Sequence, residues 1–161
     1  MTNSATKTIL KAGFIAGLLD ITAATITYII QRDHEPLPMY RFIASGVFGK
    51  EALTGGVPMA IAGLLFHFMI AYIFTIIFFI IYPRIPILSK NKVITGLVYG
   101  IIVWIIMNRV VVPLSNTPVK FPFKPLQAAL HIGILMVCIG LPIALIVGRY
   151  FDRKRNVLIS A

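Results

Sequence analysis

The chain has 161 residues, 58% of them hydrophobic, a mean hydropathy of +0.92 and a formal net charge of +10 at pH 7. Soluble domains are only about 45–50% apolar, so this composition excludes a soluble catalytic domain and indicates one membrane domain over residues 1–161. The basic residues lie at both ends and in all three loops, beside apolar runs. This is typical of topology signals and headgroup contacts, so no nucleic-acid partner is expected.

The first apolar stretch, about residues 8–30, is long enough to cross a bilayer core of roughly 30 Å as a helix. It contains Gly13 and Gly17 in a GxxxG motif, which allows another helix backbone to approach closely. Asp20 lies on the same stripe, because helix positions three and four apart share a face. We therefore expect this face to pack against other helices and to carry a carboxyl group into the membrane.

The loop after span one contains a second helical segment. Pro36 and Pro38 end any continuing helix, and residues 39–48 (MYRFIASGVF) combine aromatic residues with Arg41. This pattern predicts a short interfacial helix, with Arg41 as a headgroup contact. A shallow re-entrant segment is the alternative.

Three further apolar stretches predict spans two, three and four at about residues 57–82, 93–112 and 126–151. Together the segments predict an all-α integral membrane protein, a four-transmembrane-helix bundle with a short interfacial helix between spans one and two. Span two has no formal charge, and its small-residue face carries Gly63 and His67.

Spans three and four also carry polar residues within apolar surroundings. Gly96 and Gly100 form a second GxxxG motif, and Asn108 and Arg109 follow toward the end of span three. An arginine in the membrane costs from about 2.5 kcal/mol upward at the bilayer centre unless it snorkels or pairs. His131 lies in the first turns of span four.

At about 1.5 Å per residue, each span is expected to place a polar group in the same, outer half of the bilayer. The candidate site consists of Asp20, His67, Asn108, Arg109 and His131. One interpretation is that these groups only satisfy one another; another is that they bind or pass a proton, an ion or a small ligand. If a divalent metal binds, Asp20, His67 and His131 are its expected ligands. If b-type haem binds, His67 and His131 are its expected axial ligands.

No catalytic motif such as GxGxxG, a P-loop or HExxH is present in the sequence, so an enzyme is not expected. The leading prediction is a small membrane protein that binds or passes a proton, ion or small ligand at the outer polar site. The alternatives are a non-catalytic accessory subunit of a larger membrane complex and a haem-binding subunit. The expected partners are the lipid bilayer and either a second copy of the chain or a larger complex.

Orientation follows from the positions of the 15 lysines and arginines. The two ends and the second loop carry more of them than the first and third loops do. Basic residues are enriched in cytoplasmic segments, so both termini are expected in the cytoplasm.

Four pieces of the sequence carry a resemblance to known proteins: IASGVFGKEALTGG, GLLFHFMIA, GLVYGIIVWIIMNRVVVPLS and HIGILMVCIGLPIAL. Together they resemble a group of small four-span inner-membrane proteins of Gram-negative bacteria, described as hypothetical membrane proteins. In architecture the chain is also loosely similar to the YagU-like inner-membrane proteins. The resemblance covers about residues 12–150 and implies a bacterial inner-membrane location. It implies no activity and assigns no catalytic residue.

Overall fold

The computed structural model describes residues 2–32, 35–118 and 124–159, and this part of the chain is all-α. Four of its helices are long and apolar enough to cross a membrane, which confirms the predicted four-helix bundle. Their apolar spans are Ser4–Gln31, Gly56–Arg84, Lys92–Leu114 and Pro125–Val157. They begin and end a few residues from the predicted bounds because the helices continue past the apolar stretches into polar sequence.

Five helices, in chain order, make up the part of the chain that the structure describes. They are α1 (Thr2–Arg32), α2 (Leu37–Phe48), α3 (Gly56–Ile81), α4 (Lys92–Ile106, then a π turn at Met107–Val111 and Val112–Leu114) and α5 (Pro125–Leu135, then a π turn at Met136–Gly140 and Leu141–Ile159). The boundaries have local causes. Asn91 caps α4, since its side-chain oxygen accepts hydrogen bonds from the backbone of Val93 and Ile94. Pro125 occupies the first turn of α5, where its missing N–H is not needed.

The first GxxxG motif lies where α1 contacts α3. A Cβ atom at Gly17 would lie 2.9 Å from the Phe68 ring and 3.2 Å from the Ala71 methyl group, and one at Gly13 would overlap the Tyr72 ring. Only hydrogen at these two positions lets α3 side chains lie directly on the α1 backbone.

The second GxxxG motif lies where α4 contacts the π turn of α5, and here the two backbones touch. A Cβ atom at Gly96 would lie 2.9 Å from the Gly140 carbonyl oxygen, and one at Gly100 would lie 2.7 Å from the Leu135 carbonyl oxygen. Gly140 contributes from the other side, because a Cβ atom there would overlap the Gly96 carbonyl. Three glycines therefore set the distance between α4 and α5.

The short helix α2 is present where it was predicted, and one of its faces is buried against the bundle. A Cβ atom at Gly63 of α3 would overlap the Tyr40 carbonyl oxygen, and Ala44 is fully buried. Tyr40 also shares a 2.8 Å hydrogen bond with Thr25 of α1. Because Gly63 lies seven residues after the start of α3, α2 contacts α3 about 10 Å along the helix rather than at its end.

The two ends of the bundle are distinct. At the end that carries α2, the Asn116 backbone and side-chain N–H groups donate to the carbonyls of Gly46 and Val47, at 2.9 Å each. The opposite end, here called the loop-two end, carries residues 82–91 and the last turns of α5. There Tyr82 stacks on Phe151 with ring centroids 5.5 Å apart, and Lys92 pairs with Asp152.

The main hydrophobic core belongs to the loop-two half. Its buried residues are Ala12, Ala16, Phe74, Phe78, Tyr82, Tyr99, Val103, Ile139, Ile143, Ala144 and Val147. Within it, Tyr99 donates a 2.6 Å hydrogen bond to the Phe74 carbonyl. Large apolar side chains such as Leu65, 66% exposed, cover the outside of the helices, as expected for surfaces that face lipid.

Candidate functional site

Two of the predicted polar residues, Asp20 of α1 and His67 of α3, lie side by side between their helices. The His67 Nε2 atom is 2.9 Å from the Gly17 carbonyl oxygen and 3.9 Å from the Asp20 Oδ2 atom. Only 13% of the His67 side chain and 17% of the Asp20 side chain are exposed. The structure therefore holds an acid and a base next to each other, largely shielded by the bundle.

Gly17 allows His67 to approach the α1 backbone this closely. Because it lacks a side chain, the Phe68 ring and Ala71 lie against the α1 backbone, which brings the neighbouring His67 within reach of the Gly17 carbonyl. The Phe68 ring also packs edge-on against the imidazole, with centroids 5.6 Å apart and an interplanar angle of 82°. Asp20 follows Gly17 by three residues, so its carboxyl group projects from the same face of α1.

The depth of the pair follows from the helix ends. Asp20 lies 11 residues before Gln31, and His67 lies 11 residues after Gly56, the ends of the two apolar spans at the α2 end. At 1.5 Å per residue both groups are about 16 Å along the helices. The equal depth expected from the sequence matches their contact across the α1–α3 interface.

The hydrogen bond to Gly17 determines the protonation pattern of the imidazole. A carbonyl oxygen can only accept, so the His67 Nε2 atom must carry a proton and donate it. The Nδ1 atom then holds a lone pair in the neutral ring and a second proton in the imidazolium ion. Nε2 keeps its bond to Gly17 in both states, while the net charge beside Asp20 changes by one.

The other three predicted site residues do not join the pair. Asn108 is exposed and donates a 2.9 Å hydrogen bond back to the Trp104 carbonyl of its own helix. Arg109 and His131 are exposed too, and neither makes a hydrogen bond or ion pair with Asp20 or His67. These residues stay apart from the pair because of how α4 and α5 pack. The two helices are in close contact at Gly100 and the π turn of α5. Their segments nearer the α2 end, which carry Asn108, Arg109 and His131, are exposed.

The metal site considered from the sequence is not formed. Within residues 2–32, 35–118 and 124–159, no three His, Cys, Asp or Glu side chains lie together so that they could hold a metal ion. Asp20, His67 and His131 are therefore not brought together as a ligand set, since His131 lies on the exposed first turns of α5. The haem alternative gains no support either, since the His67 Nε2 atom is directed at the Gly17 carbonyl.

Two features near the pair were not predicted. One is the hydrogen bond that the Gly17 carbonyl accepts from His67. The GxxxG motif predicts close approach of a helix at Gly17 but not this hydrogen bond. The other is the hydrogen bond between Thr25 and Tyr40, which fixes α2 against α1.

A further polar atom, Arg41 Nε on α2, is buried and has no hydrogen-bond partner among the described residues, whereas the sequence predicted a headgroup contact for this side chain.

Comparison of the chain with protein-family models, with curated proteins and with solved structures finds no match in any of the three. The resemblance to small four-span inner-membrane proteins therefore stays a prediction.

Proposed function

We propose that this chain is a small bacterial inner-membrane protein, with both termini in the cytoplasm, whose Asp20–His67 pair takes up and releases a proton within the bundle. The observation that carries the proposal is the 3.9 Å approach of the Asp20 carboxyl oxygen to the His67 Nε2 atom between two membrane-spanning helices. Ionisable residues within spans are costly and mark ion or proton pathways by default.

The chemistry of the pair favours a proton over a metal ion. A metal ion needs several ligands, and none of the described His, Cys, Asp or Glu residues completes such a set with Asp20 and His67. A proton needs only one acceptor with an accessible lone pair. The imidazole Nδ1 atom and the carboxylate each supply one.

The pair can also hold a proton at low energetic cost. An isolated aspartate at the centre of a span costs about 2.5–3.5 kcal/mol on insertion scales. A neutral imidazole beside a protonated carboxyl group avoids that cost, and an imidazolium beside a carboxylate reduces it by charge pairing. Because the net charge is zero in both forms, the protonated pair is compatible with the membrane interior, and release of one proton leaves a carboxylate beside a neutral imidazole.

The test is proton flux in proteoliposomes that contain a trapped pH dye, driven by a potassium diffusion potential. We expect Asp20→Asn and His67→Gln to abolish the protein-dependent flux, because each removes one of the two proton acceptors. His131→Gln is the matched control, since His131 is an exposed histidine of α5 away from the pair. If both variants of the pair conduct like the unchanged protein, the proposal is wrong.

The alternative role is an accessory subunit that docks onto a larger complex through the GxxxG faces and the interfacial helix. Both GxxxG motifs lie against helices of the same chain, Gly13 and Gly17 against α3 and Gly96 and Gly100 against α5, so they do not support this alternative. Self-association through these faces is disfavoured for the same reason.

A further inference from the structure

A cavity of about 290 Å³ lies at the loop-two end of the bundle, far from the Asp20–His67 pair. One wall is formed by the two 3₁₀ turns Tyr82–Arg84 and Pro86–Ser89, and the other by Phe151, Asp152 and Arg155 of α5. This cavity plays no part in the proposed function.

The charge around the cavity is strongly positive. Asp152 is the only acidic residue in the chain after Glu51, and two cations already bind it. Lys92 Nζ lies 2.5 Å from one carboxyl oxygen and Arg155 Nη2 lies 2.9 Å from the other. The neighbouring basic residues Arg84, Lys90, Arg153 and Lys154 are all exposed. Nothing on this part of α5 or the second loop neutralises them, so the cavity attracts anions.

Unused hydrogen-bond donors face the same region. The Arg155 guanidinium has five N–H groups, and Nη2 donates to Asp152 while 58% of the side chain stays exposed. The Arg155 guanidinium, which lines the cavity, therefore has N–H groups that Asp152 does not use.

Apolar residues line the wall of the cavity, and others are exposed on the same loop. Phe151 and the prolines of the two 3₁₀ turns line the wall, and Ile85 and Ile87, which flank Pro86 in the sequence, are 42% and 64% exposed. A basic site with apolar residues beside it, at the end of membrane-spanning helices, is where a lipid headgroup and the start of its acyl chains would lie.

We propose that this cavity binds the phosphate group of an anionic phospholipid, with Arg155 as its main ligand. The planar guanidinium fits phosphate in two-point hydrogen bonds, which a lysine does not offer. The exposed isoleucines favour a lipid over free phosphate, the other source of the same oxyanion. The proposal does not depend on the Asp20–His67 pair.

The test is native mass spectrometry of the full-length protein in neutral detergent, titrated with phosphatidylglycerol and, separately, with phosphatidylcholine. We expect phosphatidylglycerol to bind preferentially, and Arg155→Gln to weaken its binding by roughly tenfold or more, the effect of losing a charge-assisted hydrogen bond. Arg153→Gln is the matched control: it removes the same charge two residues away from an exposed side chain outside the cavity wall. It should leave binding within about twofold of the unchanged protein.

Ser89→Phe provides a second test that changes no charge. The phenyl ring would fill the cavity from the wall where Ser89 lies, so phosphatidylglycerol preference should be lost in this variant also; this test stands if Arg155→Gln does not fold. Equal losses in Arg155→Gln and Arg153→Gln would show diffuse electrostatic attraction and overturn the site. An absence of preference for phosphatidylglycerol in the unchanged protein would overturn it as well. If inorganic phosphate binds equally well and displaces the lipid, the lipid assignment is wrong.

Discussion

The substitution Gly100→Ala should weaken the contact between α4 and α5. A Cβ atom at Gly100 would lie 2.7 Å from the Leu135 carbonyl oxygen and closer still to the backbone of Met136. Non-bonded carbon atoms pack at about 3.5–4.0 Å, so the two helices would have to separate by about 1 Å. The atoms in the way are the Leu135 carbonyl oxygen and the Met136 backbone. Because they belong to the backbone, a change of side-chain rotamer cannot relieve the strain.

The size of the effect combines two opposing contributions. Overpacking of this kind costs about 1–3 kcal/mol, and separation also loosens Val103, which is 2% exposed. Alanine gains up to about 1 kcal/mol over glycine in a helix interior. Because the obstacles are backbone atoms, the cost lies in the upper part of that range, about 2–3 kcal/mol, and the net expectation is a free energy of unfolding lower by about 1–2 kcal/mol.

The fluorescence of Trp104 can measure this loss of stability. It is the only tryptophan in the chain and lies one helical turn after Gly100, so its fluorescence reports the separation of α4 from α5 during unfolding by SDS in mixed micelles. Gly133→Ala is the control, because a Cβ atom at Gly133 would have no neighbour within 4 Å. That change should leave stability equal or higher by up to about 1 kcal/mol. If the two variants unfold at the same SDS fraction, the backbone contact at Gly100 is not formed.

Three further changes test other contacts. Tyr99→Phe removes the buried 2.6 Å hydrogen bond to the Phe74 carbonyl and should lower the free energy of unfolding by about 0.5–1.5 kcal/mol; an unchanged SDS midpoint would contradict this contact. Asn116→Ala removes the 2.9 Å side-chain hydrogen bond to the last turn of α2, so protease cleavage after α2 should be faster, and an equal rate would show that this bond does not hold α2. For Lys92 and Asp152, whose side chains are 27% and 29% exposed, a double-mutant cycle with Lys92→Gln and Asp152→Asn should give a coupling below about 1 kcal/mol that falls as salt is added. A coupling that salt does not change would contradict this partly exposed geometry.

The candidate site shows how far sequence reasoning reached. Asp20 and His67 were predicted to share a depth, and each lies on a stripe of small residues, so their contact between α1 and α3 follows from local patterns. Asn108 and His131 were placed in the same group by depth alone. The depth of a residue along a helix follows from counting residues. Which face of the helix its neighbours bury does not follow from such a count.

The sequence by itself determined the number of spans, their approximate bounds and the short helix after span one. These features follow from the transfer free energy of each segment and from proline positions, which are local properties. The tertiary structure decided which helix each GxxxG motif meets, because small residues permit close approach by any helix without selecting one. It also decided that Gly17 brings His67 to a backbone carbonyl beside Asp20 while His131 stays outside, since that outcome depends on how α1, α3 and α5 pack around one another.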